Sequence, residues 1–63
     1  MHLPEVTLSR SDTRSLKFGQ QTVLGELFDI NEIVRLYDES GKFFGLGEVV
    51  EPSIIKPKRL FNL

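Results

Sequence analysis

Residues 37–50 read YDESGKFFGLGEVV, and this stretch carries the clearest structural signal in the chain. Asp38 and Gly41 take the first and fourth positions of the segment DESG, which is typical of a type I turn followed by a left-handed residue. The preceding Ile33–Tyr37 alternates in polarity and is rich in β-branched residues, as strands are. The stretch therefore predicts a β-hairpin whose return strand runs over residues 42–50.

The Gly-x-Gly formed by Gly45 and Gly47 could belong to a phosphate-binding loop or to a strand. A dinucleotide-binding loop needs a third glycine three residues after the second and a helix behind it, but that position is Val50 and the strand pattern continues. On a strand, both glycines face the same side as Val49, and Phe44 faces the other. Two absent side chains on one face allow another backbone to pass closely, which favours barrel geometry.

A short helix is predicted ahead of the hairpin. Ser9, with Asp12 three residues later, fits the spacing of an N-terminal capping box, and Gly19 supplies a left-handed C-terminal cap. The helix is expected over residues 11–18, after an edge strand over residues 5–8. Its expected apolar contacts are Leu8, Leu16 and Phe18.

Two further strands are expected on either side of the hairpin. One covers residues 20–24 and the other residues 54–61, where Pro57 requires an edge or a bulge because it cannot donate to a ladder. The acidic, irregular residues 25–32 include three apolar side chains that are expected to pack under the body, namely Leu27, Phe28 and Ile30. The chain is thus predicted to be mainly β, a small barrel of about five short strands with one short α-helix over residues 1–63.

Length and composition limit the classes of function. Sixty-three residues form at most one domain, and 40% hydrophobic with 27% charged residues is ordinary for a globular one. Without cysteine, the chain has neither a disulfide framework nor a thiolate metal site. No apolar run approaches the length of about 20 residues that a membrane span requires. The N-terminus lacks the features of a signal peptide, so the cytoplasm is the expected location, with no membrane association.

Candidate catalytic groups are sparse. His2 is the only histidine and lies at a chain end, so no catalytic triad or histidine metal site is expected around it. Tyr37 and Phe43 could stack on bases, but aromatic residues at strand spacing in a small chain are expected in the core. The acids in turns and loops match no ligand spacing; they are Glu26, Asp29, Glu32, Asp38 and Glu39. No catalytic residue, metal or cofactor is predicted, which leaves a binding or structural module.

Charge is unevenly distributed although the net charge is only −1. Residues 21–51 carry seven acids against two bases, whereas residues 52–63 carry three bases and no acid. A second basic cluster lies near the start. If the two ends meet in space, they form one basic face that could bind phosphates; the alternative is an ordinary solvated surface. The basic residues concerned are Arg10, Arg14, Lys17, Lys56, Lys58 and Arg59.

Several segments together resemble one family over nearly the whole chain, with order and spacing kept. They are residues 3–4 (LP), 19–20 (GQ), 34–38 (VRLYD), Gly41, 43–49 (FFGLGEV) and 57–61 (PKRLF). In these the chain resembles the C-terminal domain of bacterial tRNA pseudouridine synthase B (TruB). The resemblance implies a PUA-like β-barrel that follows a catalytic domain isomerising a uridine of the tRNA T-loop. It also implies that the catalytic aspartate lies in that upstream domain, so that this fragment is not itself an enzyme.

The resemblance further implies RNA contact, because PUA-like domains generally bind through the helix, the loop after it and the last strand. Cationic and amide donors suit the phosphates and 2′-hydroxyls of duplex RNA. The candidate RNA-binding residues are Arg10, Arg14, Lys17, Gln20, Gln21, Lys56, Lys58 and Arg59, with Lys58 and Arg59 leading.

The expected partners are tRNA, at its T-arm and acceptor stem, and the upstream catalytic domain of the same parent chain. The module is expected to be a monomer that helps to position the tRNA. Two alternatives remain open. The Pro-Lys-Arg segment at residues 57–59 could dock the module on the catalytic domain through an ion pair, or the module could bind a protein partner through an exposed strand or apolar patch.

Overall fold

The computed structural model describes residues 3–61, which form one curled five-stranded sheet and one helix. In chain order the elements are β1 (Glu5–Thr7), α1 (Arg10–Lys17), β2 (Thr22–Val23), β3 (Ile33–Tyr37), β4 (Phe43–Glu51) and β5 (Ile54–Leu60). The order across the sheet is β1-β3-β4-β5-β2, with β1 parallel to β3 and the other neighbours antiparallel. The predicted mainly β fold is confirmed as a half-barrel with one short helix.

Helix α1 is capped as its sequence predicts. The Ser9 hydroxyl oxygen accepts a hydrogen bond from the Asp12 backbone N–H at 3.1 Å, and Gly19 adopts φ +82° after the last turn. Leu16 is fully buried, as expected. The prediction is wrong for Phe18, which is 77% exposed, because two residues along a helix turn its side chain by about 200° from Leu16.

Within residues 3–61 no helix is long and apolar enough to cross a membrane.

The predicted hairpin is confirmed in β3, β4 and the turn between them. The Asp38 backbone N–H donates to the Lys42 carbonyl at 2.9 Å, and the Gly41 N–H donates to the Asp38 carbonyl at 2.9 Å. Gly41 has φ +83°, the left-handed conformation that glycine adopts without a side-chain clash. The turn therefore closes in the predicted geometry.

The two glycines of β4 lie where other chain segments pass closely, as predicted. A Cβ on Gly45 would lie 2.5 Å from the carbonyl oxygen of Arg59, and one on Gly47 would lie 3.1 Å from a methyl carbon of Leu36. The neighbouring Phe44 departs from simple alternation. The register between β3 and β4 shifts by one residue at this point, so Phe44 is buried beside Gly45 instead of facing the other side.

Strand β5 contains the irregularity that Pro57 requires. Gly47 pairs with Pro57, while the preceding Leu46 pairs with Arg59, so Lys58 is an additional residue in the ladder. Strand β2 pairs with Ile54 and Ile55, at the start of β5. The predicted bulge is confirmed.

The core lies between the inner face of the sheet and α1. Its buried apolar members are Val6, Leu8, Leu16, Val34, Leu36, Phe44, Val49 and Ile55. Phe28 packs against this cluster, as predicted, and its backbone N–H donates to the Pro52 carbonyl at 2.7 Å. The prediction is wrong for Leu27 and Ile30, which are 78% and 54% exposed, because the anchored backbone turns only Phe28 inward.

Candidate nucleic-acid interface

Helix α1 presents three cations on one side. Arg10, Arg14 and Lys17 are spaced by four and three residues, which places them along one narrow strip of the helix. All three are exposed, and within residues 3–61 none of them forms an ion pair. The helix buries Thr13 and Leu16 beside this strip. We call these three residues the α1 strip; its charge faces solvent.

The two lysines of β5 share one carboxylate. Glu48 Oε1 lies 3.9 Å from the Nζ of Lys56 and 4.0 Å from the Nζ of Lys58. Glu48 is opposite Lys56 in the ladder, and its side chain is only 24% exposed. Because one carboxylate faces two ammonium groups, this part of the surface carries a net charge of about +1 rather than +2.

Arg59 has a different environment from the lysines before it. Its guanidinium carbon lies 5.5 Å from the centroid of the Phe61 ring, a cation–π distance. In the part of the chain that the structure describes, Arg59 forms no ion pair. The predicted leading pair, Lys58 and Arg59, is therefore divided into one cation beside a carboxylate and one beside an aromatic ring.

The two glutamines follow α1 and are exposed. The Gln20 backbone N–H donates to the Ser15 carbonyl at 2.9 Å, which fixes the chain as it leaves the helix. Gln21 lies near the start of β5, where it lines an open concavity with Ile54. Gln21 thus lies near the start of β5, whereas Lys17 lies near the end of that strand.

The end of α1, the β3–β4 turn and the end of β5 meet at an open groove of about 360 Å³. Its lining residues are Lys17, Asp38, Lys42, Phe43, Phe44, Leu60 and Phe61. We call this the α1–β5 groove. Lys17 Nζ lies 5.4 Å from the centroid of the buried Phe44 ring. The structure therefore brings one cation of the early basic cluster to the end of the last strand.

Three aromatic rings form a row beside this groove. The ring centroids of Tyr37 and Phe43 are 5.6 Å apart, and those of Phe43 and Phe61 are 5.7 Å apart. Tyr37 and Phe43 are half-buried rather than part of the core, so their predicted core placement is wrong. The bulge at Phe44 explains this, since it turns Phe44 into the core in place of its neighbour. Phe61 and Lys42 also line this groove, although neither was predicted from the sequence to be part of a site.

Asp38 is a fixed anion at the margin of the groove. Its Oδ1 accepts hydrogen bonds from the Lys42 N–H at 2.9 Å, the Ser40 N–H at 3.0 Å and the Ser40 hydroxyl at 2.8 Å. These bonds, chiefly the one from Lys42, lower the pKa of Asp38 below its ordinary value, and the charge of Lys17 acts in the same direction. Asp38 is therefore ionised at neutral pH.

The sequence comparisons match this chain to one family over residues 4–61, under the description "Pseudouridine synthase II TruB, C-terminal". The chain belongs to this family. Among curated relatives, the tRNA pseudouridine synthase B of Hydrogenovibrio crunogenus is 38% identical over 63 residues, covering 98% of this chain and 20% of the relative. The tRNA pseudouridine synthase B of Mannheimia succiniciproducens is 33% identical over 61 residues, covering 97% of this chain and 20% of the relative. The predicted resemblance to TruB is confirmed.

The match covers only part of the length of the relatives. The chain spans about a fifth of the length of the curated relatives it matches. A further relative, the tRNA pseudouridine synthase B of a Marinomonas species, is 34% identical over 62 residues with the same coverage of 97% and 20%. As predicted, the chain corresponds to the C-terminal region of such proteins.

Proposed function

We propose that this TruB C-terminal chain is an RNA-binding accessory module of a tRNA pseudouridine synthase and helps to hold the tRNA while another domain isomerises the uridine. The observation that carries the proposal is the α1 strip. Arg10, Arg14 and Lys17 are exposed, lie on one side of the helix and, within residues 3–61, pair with no acid. The names of the relatives supply tRNA as the RNA.

The strip suits the backbone of an RNA duplex. Seven residues of helix separate Arg10 from Lys17, so the strip is roughly 10 Å long. That length matches roughly two or three successive phosphates of one strand. Contacts to phosphates fix the position of a duplex without reading its sequence. We therefore propose the T-arm and acceptor stem as the bound region, with Gln20 and Gln21, which follow the helix, as further amide donors.

The cations of β5 contribute unequally to the proposed surface. Arg59 pairs with no acid within residues 3–61, whereas Lys56 and Lys58 share the Glu48 carboxylate. A phosphate that approached either lysine would compete with that carboxylate and be repelled by it. We therefore propose Arg59 as the main contact from the last strand, with Lys56 and Lys58 as weaker ones. We further propose that the module contacts the upstream catalytic domain of the same parent chain. We also propose that it is located in the cytoplasm and that it is a monomer.

The proposal is tested by titrating the labelled chain with a hairpin RNA that joins a T-arm to an acceptor stem, following each backbone amide by NMR. We expect the amides of α1 and residues 19–21 to shift at low salt. The double variant Arg10→Gln/Arg14→Gln is expected to weaken binding about tenfold or more, since each lost phosphate contact removes a charge-assisted bond.

The matched control is Lys56→Gln/Lys58→Gln, which removes the same charge from β5. Because Glu48 already faces these lysines, we expect a smaller loss of affinity from this variant than from the arginine variant. Unshifted α1 amides, or equal losses in the two variants, would contradict the proposed surface.

A second candidate function is docking on a protein, most directly the catalytic domain of the parent chain. The observation in its favour is the exposure of three apolar side chains on β2 and the segment after it, namely Val23, Leu27 and Ile30. Apolar docking would persist in high salt, whereas phosphate binding weakens steeply. Salt dependence therefore separates the two functions.

A further inference from the structure

We propose that Asp12 and Thr22 are positioning residues: the hydrogen bond between their side chains fixes the rotation of α1 about its own axis and so sets the direction in which the α1 strip faces. This inference rests on the proposed function, because the α1 strip is the surface proposed to bind RNA. Neither residue contacts RNA in this proposal, and both act through the helix.

The Asp12 carboxylate joins α1 to the edge strand β2. Its Oδ1 accepts a hydrogen bond from the Thr22 hydroxyl at 2.8 Å, and Thr22 is only 8% exposed. Within residues 3–61 this is the only side-chain hydrogen bond between the helix and a strand. In a capping box, the side chain at the position of Asp12 accepts from the backbone N–H of the capping residue. Here it is directed to another element, so local capping does not account for it.

Thr22 is itself held on the sheet. It pairs with Ile55, which is fully buried near the start of β5. The backbone N–H of Leu24, two residues later, donates to the Ser53 carbonyl at 2.6 Å. Because these contacts hold Thr22 to β5, its hydroxyl is a fixed point for the helix.

Asp12 lies on the side of α1 opposite to the strip. It is two residues from both Arg10 and Arg14, so its side chain is turned by about 200° from each of theirs. Leu16 packs on the core beside it, but apolar attraction has no direction and permits the helix to rotate. A hydrogen bond depends on angle as well as distance, so the Asp12–Thr22 bond is the contact that restricts this rotation.

A small rotation of α1 would displace the whole strip. The outer surface of a helix lies roughly 5–6 Å from its axis, so a rotation of about 20° moves that surface by roughly 2 Å. Charge-assisted hydrogen bonds to phosphate oxygens are only about 2.7–2.9 Å long, so a shift of this size breaks them. A strip that is oriented before RNA arrives also avoids the cost of ordering it during binding.

The first test measures the orientation of α1 without RNA. Thr22→Val removes the hydroxyl and leaves the charge of the chain unchanged. Residual dipolar couplings of the backbone amides report the direction of α1 and, through their periodic variation along the helix, its rotation. We expect this variation to shift in phase or shrink in Thr22→Val, while the couplings of β3 and β4 keep their wild-type values.

The second test measures binding of the T-arm and acceptor-stem hairpin. We expect Thr22→Val to bind about fivefold more weakly, as when the competent orientation is populated about a fifth of the time. The complex that forms still makes every phosphate contact, so the slope of log K against log salt concentration is expected to stay at its wild-type value. Thr22→Ser keeps the hydroxyl and is expected to restore both the affinity and the couplings.

Ser40→Ala is the matched control. The Ser40 hydroxyl donates to Asp38 Oδ1, also at 2.8 Å, so this variant removes the same kind of bond from the β3–β4 turn. We expect it to leave the α1 couplings and the affinity for the hairpin unchanged. All affinities are measured at a temperature where the amide spectrum shows each variant to be folded.

The outcomes separate this inference from the proposed function. If the wild type binds the hairpin and Thr22→Val keeps wild-type couplings and affinity, the inference is overturned and the proposed function stands. An equal loss of affinity in Ser40→Ala, or no recovery in Thr22→Ser, also overturns it. If the wild type does not bind the hairpin but Thr22→Val changes the α1 couplings, the proposed function fails and the positioning of α1 by this bond is supported.

Discussion

A single methyl group at position 45 would lie 2.5 Å from the carbonyl oxygen of Arg59, closer than real Cβ contacts come. The Gly45→Ala variant must therefore separate β4 from β5, and we expect it to lower the free energy of unfolding by about 1–3 kcal/mol. Denaturant unfolding of the variant and the wild type measures this loss.

Gly25→Ala is the matched control for this prediction. A Cβ at position 25 meets no atom within 4 Å, so the free energy of unfolding is expected to stay the same or rise slightly. An equal loss in both variants would show that the close approach at Gly45 is not what requires glycine there.

The capping residue of α1 gives a second prediction at the scale of one residue. Ser9→Ala removes the oxygen that accepts the Asp12 N–H, and such a loss typically costs about 1 kcal/mol. Ser9→Asp keeps an acceptor and adds a charge that is favourable at a helix N-terminus, so it is expected to retain stability. Thermal unfolding of both variants decides whether the cap stabilises the helix; equal melting temperatures would contradict it.

Among the elements, the β3–β4 turn is expected to depend on pH. The pKa of Asp38 is lowered in the folded state, so its carboxylate stabilises the turn above the unfolded pKa, and this stability is lost as the pH falls through the lower, folded value. The Lys42 amide, which donates to Asp38, is expected to report this transition by NMR.

Asp38→Asn keeps an oxygen acceptor but cannot titrate, so the acid transition of the Lys42 amide is expected to disappear in it. Glu39→Gln, at the next position, is expected to leave the transition in place. Persistence of the transition in Asp38→Asn would assign it to another group.

The same elements show which parts of the fold could be predicted from the sequence. The cap at Ser9 and the turn at Gly41 depend on neighbouring residues, so the sequence was sufficient for them. The position of Glu48 opposite Lys56 was not predictable from the sequence. A register shift between Val49 and Glu51 changes by one residue which residues of β4 and β5 are paired beyond it. The burial of Phe44 depends on a similar shift. The exposure of Phe18 could have been predicted from its angle to Leu16 on the helix.

At the scale of the whole molecule, the charge pattern becomes meaningful only after folding. Lys17 is in α1, Lys42 is in the β3–β4 turn and Phe61 follows β5. Nothing in their spacing along the chain indicates that they line one groove. Conversely, Lys56 and Lys58 are part of a basic run in the sequence but face Glu48 in the fold. The sequence was therefore sufficient to predict which cations belong to the candidate surface. The structure was needed to show that Lys56 and Lys58 face a carboxylate.

The measurement that tests the central claim most directly is the salt dependence of hairpin RNA binding by the wild type and by Arg10→Gln/Arg14→Gln. Each phosphate contact contributes roughly −0.7 to −0.9 to the slope of log K against log salt concentration. We expect the double variant to flatten the slope by roughly 1.4 to 1.8, for two lost contacts. A slope that is the same in both proteins, or close to zero in the wild type, would contradict the account that the α1 strip binds RNA phosphates.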